Sequence, residues 1–238
     1  MYKTLIQTLL AGFYAILAAS PLEGGGVMIA ARHILFEKRH PYDTRLEYIE
    51  SSGAAYFSLR DYLIATVLPW GTTDDWKVRI GVVDPSQSGD KKMFGATYSY
   101  GIAIYSGGWR PSFVSGWPFT NVKIATYPIV DFIAGRNYVE LKSVDGVSLY
   151  RNDAGYVGWH VNREFLVGTM AGDHGEITSP SNICAHRIYS FSRIKDGKLA
   201  FDFIPCIMDG VVGMYEDISG VFYSSQTSTP FIAGPKIK

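Results

Sequence analysis

Trp109 and Trp117 are the residues of this chain best suited to hold a ligand. Each stands beside glycine and proline, in Gly107-Gly108-Trp109-Arg110-Pro111 and in Gly116-Trp117-Pro118. Glycine and proline punctuate strands, so both indoles are expected in loops, at 106–112 and 115–120. The two loops are close enough in sequence to share one end of a domain. An indole on a loop offers a flat face to the C–H side of a sugar, and Arg110 would add a rigid fork of donors that fixes orientation. The competing reading makes both indoles caps on a core. A second cluster, Asp173-His174-Gly175-Glu176, is the densest polar stretch. Asp173 and Glu176 carry hard oxygen ligands of the kind Ca²⁺ takes; an exposed loop is the alternative.

Catalytic constellations are scarce. Glycoside hydrolysis generally needs two carboxylates about 5–9.5 Å apart across the scissile bond. Glu47 and Glu50 are three apart, which in a strand turns them to opposite faces, and the adjacent pairs Asp74-Asp75 and Glu216-Asp217 diverge as well. No serine sits in a G-x-S-x-G elbow. Cys184 and His186 share a strand face, the outline of a reactive dyad; a buried thiol beside a surface or rim histidine is the plainer reading. The two cysteines, Cys184 and Cys206, fall on the arms of one expected hairpin, offset by about two positions, which favours two buried thiols over a disulfide. The five histidines are scattered without metal-ligand spacing. The chain is therefore expected not to be an enzyme.

The elements that would carry these residues are strands. Trp76-Lys77-Val78-Arg79-Ile80-Gly81-Val82 alternates apolar and polar, so one face is buried and the other wet. Residues 98–105 alternate in the same way. Asp145-Gly146 separates apolar runs at 138–144 and 147–151, and Asp196-Gly197 separates 188–194 from 199–204; Asp-Gly between such runs signals a hairpin. Alternation turns Phe201 and Phe203 inward together. Many short turn-bounded strands indicate an all-β sandwich of two antiparallel sheets. Lys plus Arg equals Asp plus Glu, 22 each, which argues against broad electrostatic binding of nucleic acid.

The order of words in 187–234 is more specific. The Asp196-Gly197 hairpin is followed by Phe203-Ile204-Pro205, then Gly213-Met214-Tyr215-Glu216-Asp217, then Gly220-Val221-Phe222-Tyr223 and 231–234. This resembles the C-terminal part of the laminin G-like, concanavalin A-like jelly rolls of phage and gut-bacterial proteins. Leu46-Glu47-Tyr48-Ile49-Glu50-Ser51-Ser52-Gly53 resembles the first strand of the same group. The resemblance covers 42–235 and implies a jelly roll at 44–236. It also implies a function: glycan recognition or surface adhesion, with a virion fibre, tail or capsid-decoration protein as the alternative and a glycoside hydrolase-like enzyme third. Catalytic members of the laminarinase type carry E-x-D-x-E or a close variant on one strand, which is absent here. Some laminin G-like domains bind calcium through loop carboxylates, so calcium is the one cofactor to consider, at Asp173 and Glu176. The partners implied are a glycan or host-surface polysaccharide, or other virion proteins.

The N-terminus has two main readings. Lys3 precedes an apolar run at 5–19, and Ala18-Ala19-Ser20 supplies small residues, the outline of a secretory signal peptide; the run is short for a spanning helix. Pro21 directly after Ser20 is awkward for cleavage. Alternatively translation starts at Met28, residues 1–27 being an upstream segment, with an ordered N-terminal helix as a third reading. Residues 28–43 read as a charged linker or arm. A signal peptide would place the domain outside the cell or on its surface, with no span after processing; a phage gene would place it in a virion.

Overall fold

Residues 75–82 show why the chain makes strands. Trp76, Val78, Ile80 and Val82 are buried while Lys77 and Arg79 point the other way, as a period of two requires. In the computed structural model, residues 40–59, 75–86, 89, 91–96, 100–113, 120–135, 138–153, 166–171 and 184–237 are described. They belong, His40 apart, to the compact unit Pro41–Lys238. Residues 1–39, with the expected leader and most of the arm, lie outside them.

Among the described residues the strands are, in chain order, β1 (Thr44–Arg45), β2 (Ile49–Ser51), β3 (Phe57–Ser58), β4 (Asp75–Val82), β5 (Lys91–Ala96) and β6 (Tyr100–Tyr105). Then come β7 (Gly108–Phe113), β8 (Ile129–Gly135), β9 (Val139–Lys142), β10 (Ser148–Asn152), β11 (Leu166–Val167) and β12 (Met170–Ala171). The last five are β13 (His186–Lys195), β14 (Lys198–Met208), β15 (Val211–Glu216), β16 (Val221–Ser224) and β17 (Ile232–Ala233). They build two sheets. The larger has eleven strands in the order β10-β9-β8-β4-β13-β14-β15-β16, with β1, β2 and β17 attached at its side. The smaller has six, β3-β11-β5-β6-β7 with β12 on β5. Pairing is antiparallel throughout except for β12 with β5. No helix of the described residues is long and apolar enough to cross a membrane.

The sheets pack face to face as a β-sandwich, and rings from both meet between them. Phe94 of the smaller sheet lies 5.0 Å from Phe191 of the larger, and Phe57 lies 5.9 Å from Phe203 and 5.1 Å from Tyr223. Phe201 and Phe203 both face inward, as alternation requires, and are fully buried. The Asp196-Gly197 turn has positive φ at both positions, 50° and 73°, the geometry that a two-residue hairpin loop demands.

Three local features shape the larger sheet. A bulge against β4 between Ile188 and Ser190 gives Tyr189 no partner there, so inward positions switch from His186 and Ile188 to Phe191 and Arg193. β13 and β14 pair near their shared turn and then fork; β2 runs along β13, β1 runs along β14, and β17 follows β2 on its free side. The bend after β15 is held by buried Glu216, whose Oε1 accepts from the backbone N–H groups of Asp202 and Ile218, 3.0 Å each, and whose Oε2 accepts from Ser219 at 2.5 Å.

Candidate functional site

The structure moves Trp109 out of the expected loop and into the core. Residues 108–113 form β7, paired with β6 in register Ile104↔Trp109 and Ala103↔Arg110. Trp109 is 1% exposed. Its indole Nε1–H donates to Tyr127 O at 2.7 Å, its backbone N–H bonds Val122 O, and its own carbonyl accepts from Thr120 Oγ1. A ring held this way anchors the hairpin and offers no face to a sugar, so Trp109 is corrected from ligand residue to core residue. Pro111 carries a loop signal inside a strand. It sits opposite Ile102 on the last strand of the smaller sheet, where a missing N–H costs no ladder bond. Arg110 faces away from the core, and its guanidinium lies 5.0 Å over the ring of Tyr105, which is 40% exposed. Trp117, Asp173 and Glu176 lie outside the described residues. Among the described residues no group of three or more His, Cys, Asp or Glu is placed to hold a metal ion.

Cys184 and His186 face inward on the same side, but His186 is fully buried rather than at a rim. Its Nδ1–H donates to the backbone carbonyl of Cys184 at 2.9 Å. Burial pushes the Cys184 thiol up to about 12 and the Cys206 thiol up to about 11, so both stay protonated and poorly nucleophilic. Both cysteines are free and buried.

Polar and aromatic side chains that converge lie on the outer face of the larger sheet. One group is an ion-pair grid on β4, β8, β9 and β10. Register sets Arg79 opposite Asp131, Asp131 opposite Lys142, and Glu140 opposite Arg151. Arg79 grips Asp131 in a two-pronged pair, Nε to Oδ1 at 2.7 Å and Nη2 to Oδ2 at 2.9 Å, while Lys77 Nζ is 3.0 Å from Oδ2. Asp131 is only 3% exposed. Burial works against its charge, but the hydrogen bonds from Arg79 and Lys77 outweigh it and hold the carboxyl below its ordinary value. Glu140 faces Lys142 at 3.5 Å and Arg151 at 3.7 Å. Arg151 also pairs with Asp153 at 2.8 Å and lies 4.1 Å over Tyr138. Asp131 and Glu140 are diagonal neighbours across β8 and β9, a carboxylate pair that a search along single strands misses. A general acid needs a raised pKa, and Asp131 is moved the wrong way.

The second group stands where β2 and β13 meet. Arg187 is directly opposite Glu50, and its Nε donates to Glu50 Oε2 at 3.0 Å. The Arg187 guanidinium lies 4.8 Å over the ring of Tyr48. Tyr48 and Tyr189 meet edge to face, centroids 5.2 Å apart. The side chains of Arg187 and Glu50 are 32% and 18% exposed. The bulge turns Tyr189 outward, and Gly81 makes room for it: a Cβ there would stand 3.2 Å from Tyr189 Cε2 and 3.0 Å from Ile129 Cγ1. Tyr48 and Glu50 alternate along one strand, as do Arg187 and Tyr189 along the other. That signal was present in the sequence; the pairing of strands 137 residues apart was not. No protein-family model and no curated protein matches the chain.

Proposed function

We propose that this chain is a non-catalytic glycan-binding or adhesion module built on a concanavalin A-like, laminin G-like jelly roll, acting outside the cell or on a virion surface. The observation that carries the reading is the Tyr48, Glu50, Arg187 and Tyr189 cluster, which combines aromatic rings with a partly exposed ion pair on a rigid sheet. Sugar sites use that division of labour: rings exclude water and charged groups fix hydroxyls. The non-catalytic part rests on Asp131, whose hydrogen bonds from Arg79 and Lys77 hold its carboxyl below the ordinary value and so disfavour it as a proton donor. Folded protein on a glycan array should bind, and Arg187→Ala should lose that binding, whereas Arg110→Ala on the opposite sheet should keep it. Incubation with β-glucans, galactans and mucin glycans should release no reducing ends; turnover abolished by Asp131→Asn or Glu140→Gln would overturn the non-enzyme reading.

A second reading, a phage fibre or decoration protein that uses the domain for assembly, is favoured by Ile194 and Leu199. They are direct cross-strand neighbours beside the β13–β14 turn and are both exposed. A protein that binds no glycan, yet self-associates in a way that Leu199→Lys disrupts, would favour this reading.

A further inference from the structure

We infer, given that this face binds glycans, that the group taken at Glu50 and Arg187 is an uncharged vicinal diol of a sugar ring rather than a carboxylated or sulfated sugar. The first ground is how the outer-face arginines spend their donors. Arg79 gives Nε and Nη2 to the two oxygens of Asp131, and Arg151 is taken up by Asp153 and Glu140. Arg187 gives only Nε to Glu50; apart from the Tyr189 hydroxyl, which lies in hydrogen-bonding range of the guanidinium, its Nη groups meet no acceptor among the described residues. On the other side of the pair, Glu50 Oε2 accepts from Arg187 while Oε1 has no donor among the described residues. Among the described residues, the Nη donors of Arg187 not turned to Tyr189 and the Oε1 of Glu50 are therefore left for a ligand.

The second ground is charge. Arg187 and Glu50 cancel, so an anionic sugar would gain the guanidinium but meet a carboxylate beside it, with Glu47 exposed two positions from Tyr48's neighbour Ile49. Two adjacent hydroxyls are each donor and acceptor and can satisfy both members of the pair without a charge conflict. The third ground is preorganisation. Stacking on Tyr48 fixes the guanidinium, and Tyr189 packs edge to face on Tyr48 and holds that ring in place, so little freedom is lost on binding.

The test uses the full chain, immobilised, against three probes: a neutral mannan or β-glucan, polygalacturonate, and a sulfated galactan. Binding to a neutral polymer that changes little with salt is expected, since no ion pair forms with the ligand. Arg187→Lys keeps the charge but loses the fork, and should weaken neutral binding about tenfold or more. Glu50→Gln should improve the uronate relative to the neutral polymer by about tenfold. Unchanged melting temperatures confirm that both variants fold. Salt-sensitive binding to the uronate or sulfated polymer alone would overturn the diol while leaving the glycan-binding reading intact. Neutral binding indifferent to both variants would move the site elsewhere, and no binding to any probe would overturn both readings.

Discussion

Acid should loosen this domain through His186. The imidazole is fully buried, with Ser51 opposite it on β2 and Val82 opposite it on β4. Nδ1–H is bonded to Cys184 O, and Nε2 has no partner among the described residues. Its neighbour on β2, Ser51, is already committed. The Ser51 hydroxyl already serves Ala55 O and Gly168 O, both at 2.7 Å, and accepts from Gly53 N; buried Thr169 has an unpartnered hydroxyl but no charge. Lys91, close enough to influence Cys184, carries a like charge. Burial therefore lowers His186 from 6.5 to about 4. Between those values the unfolded chain binds the extra proton and the folded chain does not. Stability is thus full above about pH 6.5 and falls as pH drops toward about 4. The gap sets a ceiling of about 3 kcal/mol, of which about 2 kcal/mol is lost between about pH 7 and about pH 5. For a domain of this size that is a fall of roughly 4–8 °C in melting temperature. Asp202, raised by burial and by Asp217 and Glu216, contributes with the opposite sign in acid, so the comparison must isolate His186. Urea unfolding followed by tryptophan fluorescence, run at both pH values on the natural chain and on His186→Gln, does so: the variant should lack the histidine component. Equal pH dependence in the two proteins, or an imidazole that titrates near its ordinary value by NMR, would refute the reasoning.

Three further outcomes follow from burial and hydrogen bonding. Phe203→Ala removes a ring packed on Phe57, Phe191, Phe201 and Tyr223, and should cost about 3–5 kcal/mol in urea unfolding; a loss below about 1 kcal/mol would mean the ring faces solvent. Glu216→Ala deprives three backbone N–H groups of their acceptor and should cost about 2–4 kcal/mol, with faster amide exchange at Ile218 and Ser219 than along β13. Trp109→Phe loses the bond to Tyr127 O and should cost about 1–3 kcal/mol by thermal melt without changing glycan binding; lost binding at unchanged stability would restore Trp109 as a ligand residue.

Local pattern carried the strands well and the site poorly. Period-two alternation marked β4, and Asp-Gly marked the β9–β10 and β13–β14 hairpins, because those signals depend on neighbours in sequence. β7 was missed because Gly108 and Pro111 read as loop residues; only the position of the strand beside β6 at the limit of its sheet makes the proline tolerable. The Arg187–Glu50 pair and the Asp131–Glu140 diagonal are products of register between strands, which depends on the whole fold. His186 was placed on the right face but at the wrong depth. Alternation says which way a side chain points, not what stands over it.

The fork between β13 and β14 also sets an order of events during synthesis. β1 and β2 emerge first, yet the strands they pair with, β13, β14 and β17, are among the last to be made. β4 can find β8 early, but its other edge waits for β13. Until β13, β14 and β17 are made, β1 and β2 therefore carry open edges, and the larger sheet closes only when β17 runs along β2. Such long-range closure is slow, and an unfinished chain is the form most exposed to mispairing with its neighbours. Shortening the chain to before Ile232 would leave the β2 edge open in the finished protein as well, turning a transient hazard into a permanent one.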